Sequence, residues 1–241
     1  NPVNDLFTLR VVIDVGHRND NRLPMARDLM DKSGTPRFTS EELKKAWYRL
    51  GSELSLAVND NQTVFTLSGL DENFGASLRL MMEALTQPSA GDSTMDELVQ
   101  ITIANRADAT KDHRAIQRAL YQYARQGEQS YYLNVPTNEE LGQLAAAELH
   151  ELTSGLLGYH QRLEYTGSLS ASAVLEQLSA HYELPDDDLR EPPAYEPVPI
   201  RAPEATEVLL FDKEMAQALV RIESGDVPYT EAIRPEVNLF N

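Results

Sequence analysis

The sequence predicts an α+β fold, an antiparallel sheet with helices packed on one face, and three observations carry that expectation. Apolar and polar residues alternate over residues 52–58, and a second apolar run follows across the turn Asn59-Asp60-Asn61, as in a half-buried hairpin. Elsewhere the apolar residues recur at helical spacing, as in Phe74, Ser77, Leu78, Met81, Met82 and Leu85. Proline and glycine punctuate the joins, and the two periods are mixed along the chain, which suits hairpin-connected strands with segregated helices.

Taken in order, residues 6–15 are dense in Val, Ile, Leu and Phe, and Gly16 closes the run, predicting a buried strand that ends in a turn. A helix follows over residues 23–30. Pro24 suits its first turn, Met25, Leu29 and Met30 share a face, and Gly34 is placed as its C-terminal cap. The next helix starts from Thr39 or Ser40. Ser40 with Leu43 lacks a full capping box, but Glu41 and Glu42 suit the positive helix end. Leu43, Ala46, Trp47 and Leu50 form its apolar stripe, stopped by Gly51. Leu54, Leu56 and Val58, then Val64, Phe65 and Leu67, make the hairpin, covered by a helix over residues 73–85 in which Met81 and Met82 are core filler. After the break at residues 88–92, a helix over residues 94–109 places Leu98, Ile101 and Ile103 inside.

A longer helix runs through Ile116, Ala119, Leu120, Tyr123 and Ala124 to Gly127, with Tyr131 and Tyr132 in the connection beyond it. Thr137 and Glu140 form a capping box for a helix through Leu141, Leu144, Leu149 and Leu152. Residues 162–166 before Gly167 read as a strand, and residues 171–182 as a final helix with Val174, Leu175 and Leu178 inward. Six prolines between Leu184 and Pro203 predict an extended linker, assigned to residues 185–205. Val208-Leu209-Leu210-Phe211 and residues 215–222 resume strand character.

A chain of 241 residues, 41% hydrophobic, is long enough for one large or two modest cores. Its net charge of −17, from 38 acidic and 21 basic residues, argues against nucleic acid or an anionic membrane as partner. A basic substrate would be attracted, although an acidic surface more commonly serves solubility. The absence of cysteine excludes disulfides, thiolate zinc sites and a cysteine nucleophile, and is compatible with cytoplasm or periplasm. No segment has the apolar length of a membrane span, and residues 1–5 lack the regions of a signal peptide. Both ends read as those of an excised piece of a larger polypeptide, so the compartment stays open, a periplasmic or otherwise exported parent included.

The order of elements resembles peptidase family M16, the insulinase, pitrilysin and mitochondrial processing peptidase group. Gly16, the Ser33-Gly34-Thr35 turn, Glu41-Glu42-Leu43, Tyr48-Arg49-Leu50-Gly51, the two strands of residues 52–58 and 63–70, and the helix of residues 74–85 with Thr86-Gln87-Pro88 carry the likeness. Tyr123-Ala124-Arg125-Gln126-Gly127 and Tyr165-Thr166-Gly167 extend it over most of residues 5–184. The resemblance implies the LuxS/MPP-like metallohydrolase fold, in which paired modules enclose an unfolded peptide. In catalytic members of the family the helix ahead of Gly-Thr carries His-x-x-Glu-His, two imidazoles and a general base on one helix face. Counted back from Gly34, those positions are Met25, Asp28 and Leu29. The third ligand would fall near Asn105 and Arg106.

The departure implies a non-catalytic domain covering residues 1–184. It would hold no zinc and act beside a catalytic M16 domain, in the same chain or a partner subunit, that holds the zinc and acts on peptide substrate. Tyr131 and Tyr132 would approach the substrate, although packed tyrosines are the commoner case. The alternative is an assembly or scaffold module that kept the fold and lost proteolysis. An enzyme with some other site finds no support. Glu164 falls on the strand of residues 162–166 with His160 just before it, and in extended chain residues four apart do not chelate one ion without help; Ser154 has neither a glycine-flanked elbow nor a base, and no Gly-rich phosphate loop exists.

Residues 206–241 read as the opening elements of a following module. Aligned without gaps, residues 6–17 and 215–226 share Val11 with Val220, Ile13 with Ile222 and Gly16 with Gly225, and Asp14 faces Glu223. Residues 233–240 would then stand where the helix of residues 23–30 stands. The tail is expected to pack on the first module or a neighbouring chain, burying Leu209, Phe211, Leu219 and Ile222.

Overall fold

In the computed structural model, which describes residues 4–184, 188–201, 203–212 and 220–222, the chain divides into two units. The first comprises residues up to Lys111 together with Asn134–Pro197, and the second Asp112–Leu133 with the described residues from Val198 onward.

The first unit is built on four antiparallel strands in the order β2-β3-β1-β4, namely β1 (Leu6–Ile13), β2 (Glu53–Val58), β3 (Thr63–Leu70) and β4 (Gln161–Thr166). Along β1 the side chains of Phe7, Leu9, Val11 and Ile13 point to one face and are fully enclosed. Register places Leu9 opposite Leu67 and Val11 opposite Phe65, so the apolar rows of neighbouring strands coincide. Helix α3 (Phe74–Thr86) lays Phe74, Leu78, Met81 and Leu85 on that face, with Val174 of α8 (Ala171–His181) beside them. Phe74 meets Phe7 edge-on at 4.9 Å and Tyr165 at 5.4 Å, the favoured geometry for aromatic rings. The opposite face is polar at Arg10, whose guanidinium pairs with Glu164 at 2.6 Å.

Helices α1 (Leu23–Met30), α4 (Asp92–Ala109), α6 (Asn138–Leu141) and α7 (Ala146–Gly155) share a second apolar cluster, and α2 (Ser40–Leu50) seats Leu43 against Leu80 and Ala84 of α3 in a third. Among the described residues no helix is long and apolar enough to cross a membrane.

Several local expectations are corrected. Gly34 does not cap α1, which ends at Asp31 in right-handed geometry. Gly34 instead exchanges two main-chain hydrogen bonds with Ser89, and a Cβ there would lie 2.2 Å from the carbonyl oxygen of Phe38, so close backbone approach is what requires glycine. Thr39 caps α2 through a complete capping box with Glu42. Gly51 does end α2, at φ 59°.

The helix through Leu141 and Leu149 is two helices, broken at residues 142–145. A continuous helix would separate those leucines by about 12 Å along its axis, whereas the break brings both into the second cluster. Ile101 and Leu175 are exposed. Met95, Leu98 and Val99 define the inward stripe of α4, and Ile101 lies about 200° round from Val99; Leu175 is about 100° from Val174.

The proline-rich segment has no regular structure over its described residues, but it is anchored. Arg190 and Tyr159 form a parallel bridge closed by His160 N donating to Arg190 O and Arg190 N to Gly158 O, both at 2.8 Å. The Arg190 guanidinium stacks 4.0 Å over Tyr159 and donates to Gly155 O. Beyond it, Val208, Leu209, Leu210 and Phe211 form no strand, against the expectation of strand character there, and these residues and Ile222 are exposed rather than packed on the first module. Among the described residues the sheet has four strands, and none of them lies beyond Thr166. Leu219 and residues 233–240 lie outside the described residues.

In the second unit α5 (His113–Gln126) reaches Gly127, which has φ 56°. Tyr131 and Tyr132 follow on a single 3-10 turn (Tyr131–Leu133).

Candidate functional site

Helix α1 begins with Pro24 in its first turn, where a missing N–H costs nothing. Its entry is fixed by Asp20, which accepts from Arg22 N at 3.0 Å and from Arg22 Nε at 2.9 Å, while Arg22 also pairs with Glu148 of α7. Burial alone would raise the Asp20 carboxyl, but the hydrogen bonds from Arg22 outweigh it and hold the group below its usual range.

The three positions counted back from Gly34 diverge on this helix. Met25 is 5% exposed and Leu29 fully enclosed, both packed with Met95, Leu98 and Val99 of α4 and Leu149 of α7. Asp28 is half-exposed and accepts from Arg27 Nε at 2.8 Å and Nη2 at 2.5 Å. A thioether and an alkyl chain replace two imidazoles, and the remaining carboxylate is neutralised by its neighbour, so these residues do not fit a zinc ion. Among the described residues no three His, Asp or Glu side chains cluster as metal ligands would. Asn105 is exposed, and Arg106 donates to Pro136 O and Asn138 Oδ1. Neither belongs to the cluster around Met25 and Leu29; the α4 residues that do are Met95, Leu98, Val99 and, partly buried, Ile103.

His160 and Glu164 do not come together. His160 Nε2 lies 3.4 Å from Glu191, and Glu164 is held by Arg10 and Arg162. The Ser154 hydroxyl donates to Glu151 O within its own helix. Tyr131 and Tyr132 pack edge-on with ring centres 5.7 Å apart, Tyr132 exposed and Tyr131 half-buried.

Sequence reasoning missed a Ser–His pair 117 residues apart: Ser33 Oγ stands 2.9 Å from His150 Nε2. No spacing signal could have found it. Ser33 donates its hydroxyl proton to Leu29 O at 2.8 Å, so the imidazole must be the donor to Ser33. Burial lowers the His150 pKa, which favours the neutral ring. The pair ties the turn after α1 to α7, with the Ser33 hydroxyl proton directed at Leu29 O and not at the imidazole. On the other side of the turn, Thr35 Oγ1 donates to Glu83 of α3 at 2.8 Å, with Arg37 3.4 Å from the same carboxylate.

Also unforeseen is a cleft of about 530 Å³ beside the C-terminal end of α1, between α2, β2 and α3. Its lining includes Met30, Leu43, Trp47, Leu54 and Leu85, with Asp31 and Lys44 also contributing.

A four-stranded antiparallel sheet under helices, with α1 leading into Ser33-Gly34-Thr35, is the α+β fold the sequence predicts, and solved structures share it. The chain is similar, with a TM-score of 0.69 and 15% identity, to a mutant of the ferredoxin protease FusC in complex with Arabidopsis ferredoxin, over 82% of this chain and 22% of that one. It is similar to the periplasmic protease PqqL from Escherichia coli (TM-score 0.64, 16% identity, 82% of this chain and 22% of that one). It also resembles a peptidase M16 inactive domain from Pseudomonas fluorescens (TM-score 0.62, 15% identity, 79% of this chain and 49% of that one). The chain thus spans between about a fifth and a half of the length of these structures. The insulinase family, peptidase family M16, matches residues 1–133, and the chain belongs to it. No curated protein matches the sequence.

Proposed function

We propose that this chain is a non-catalytic M16 module that helps to enclose and bind a peptide substrate, while zinc and catalysis reside in another M16 module of the same polypeptide or of a partner subunit. The observation that carries this reading is the burial of Met25 and Leu29 in an apolar cluster, where a catalytic module needs two imidazoles. The likeness to a domain described as inactive supports it. Residues 1–184 form the module in this reading, residues 185–205 link it onward, and residues 206–241 open the next one. Tyr131 and Tyr132 are proposed as peptide contacts.

The test uses the purified chain. Metal analysis after dialysis against zinc-containing buffer is expected to find no stoichiometric zinc, and quenched fluorogenic peptides no chelator-sensitive hydrolysis. Anisotropy of a fluorescein-labelled unfolded peptide is expected to show saturable binding. Zinc-dependent hydrolysis would overturn the reading, and a chain that binds no peptide would hand it to the assembly alternative.

A further inference from the structure

The cleft beside α2 has an apolar floor and a rim of opposite charges. Leu43, Trp47, Leu54 and Leu85 contribute the apolar surface, contiguous with the third cluster. Asp31 and Lys44 contribute the charges. Neither side chain makes a hydrogen bond or an ion pair among the described residues, and both are exposed. Tyr48, 87% exposed on the outer turn of α2, extends the wall as an amphipathic surface. The volume of about 530 Å³ lies in the range of ligand pockets and exceeds what one packing defect leaves.

The charge arrangement selects the occupant. A simple anion would be opposed by Asp31 and by Glu53, also in the lining, and a simple cation by Lys44. A neutral, dipolar group that offers a donor and an acceptor next to an apolar body meets both, and a peptide unit with its side chain is such a group. Resting on the peptide-binding reading above, we propose that this cleft takes a large apolar side chain of an extended peptide, with the Asp31 carboxylate accepting from, and the Lys44 ammonium donating to, the main chain on either side. The substrate class is thereby an unfolded peptide with an aromatic or large aliphatic anchor residue. Selectivity for the anchor comes from the floor, and tolerance of its neighbours from contacts to main chain alone.

Trp47 is the sole tryptophan of the chain and lies in the cleft, so its emission reports the site directly. The labelled peptide is titrated in two forms, one with a central leucine and one with glycine there, following anisotropy and Trp47 emission together. The proposal expects the leucine peptide to shift Trp47 emission to the blue along the same isotherm as anisotropy, and the glycine peptide to bind at least about tenfold more weakly, as loss of a buried anchor implies. Lys44→Glu and Tyr48→Ala, at exposed positions that leave folding intact, are each expected to weaken binding about fivefold. Ala84→Leu, which narrows the floor, adds a second route to the same loss, checked by circular dichroism. Saturable anisotropy with unchanged Trp47 emission and unchanged affinity in these variants overturns the cleft as the site and leaves the peptide-binding reading standing. No anisotropy change at all overturns that reading and the cleft with it. Trp47 emission that shifts with protein concentration in the absence of peptide, with dimers in sedimentation velocity, means that a second copy fills the cleft and overturns the proposal.

Discussion

Leu29 is wholly enclosed in the apolar cluster that α1 shares with α4, α6 and α7, so truncating it leaves a cavity in a layer of four helices. Leu29→Ala is expected to destabilise the chain by about 2 to 5 kcal/mol in urea denaturation; a change near zero would mean that the position is not core. Asp71, buried just after β3, accepts from Tyr165 Oη at 2.8 Å, from Ser168 N at 3.1 Å and from Ser168 Oγ at 2.5 Å, and so ties the end of β3 to the far side of the sheet. Burial acts to raise its pKa, but the bonds from Ser168 and Tyr165 prevail and lower it, while Tyr165 is pushed up to about 12, by burial first and by its bond to Asp71. Because the folded-state value is depressed, this stabilisation is complete above the unfolded value of about 3.9 and is lost as pH falls through the lower folded value. Asp71→Asn is therefore expected to be less stable than the parent at neutral pH, with the gap closing below about pH 4, as thermal melts across pH 2.5 to about 7 would show. A gap that stays constant with pH would refute the ionic contribution.

At the scale of elements, the capping box of α2 is the clearest single contribution: Thr39 Oγ1 accepts from Glu42 N, and the Glu42 carboxylate accepts from Thr39 N at 2.9 Å. Thr39→Ala is expected to cost about 1 kcal/mol, measured by chemical denaturation, and Thr39→Ser to restore most of it. That box was written in the sequence as Thr-x-x-Glu, one residue before the Ser40 alternative that competes with it. The strands and most helices were legible because a buried face repeats locally, every second residue on a strand and every third or fourth on a helix. Ile101 and Leu175 misled because a helix turns only part of its apolar surface inward, and which part depends on its neighbours. Met25, Asp28 and Leu29 could be counted back from Gly34, yet only packing separates two buried side chains from one facing Arg27. Ser33 with His150 and Asp71 with Ser168, 117 and 97 residues apart, carry no periodicity and so left no trace, and the cleft needs three elements assembled before it exists.

For the whole molecule, the four-stranded sheet holds its apolar face under α3 and α8, and among the described residues none beyond Pro203 belongs to its main core cluster. A chain ending after Pro203 is therefore expected to unfold in one cooperative transition, as followed by circular dichroism and fluorescence together; failure to fold as a monomer would move the domain boundary. Mechanically, the docking of Arg190 makes a tether. Tension drawn along the chain beyond Arg190 enters at Gly158 and His160, at the mouth of the edge strand β4, and meets two main-chain hydrogen bonds and a stacked guanidinium before it reaches α8. In an optical trap, pulling on that segment would first give a small rip as the Arg190 tether parts, with the sheet still intact, and Arg190→Ala would erase that first event and load α8 directly.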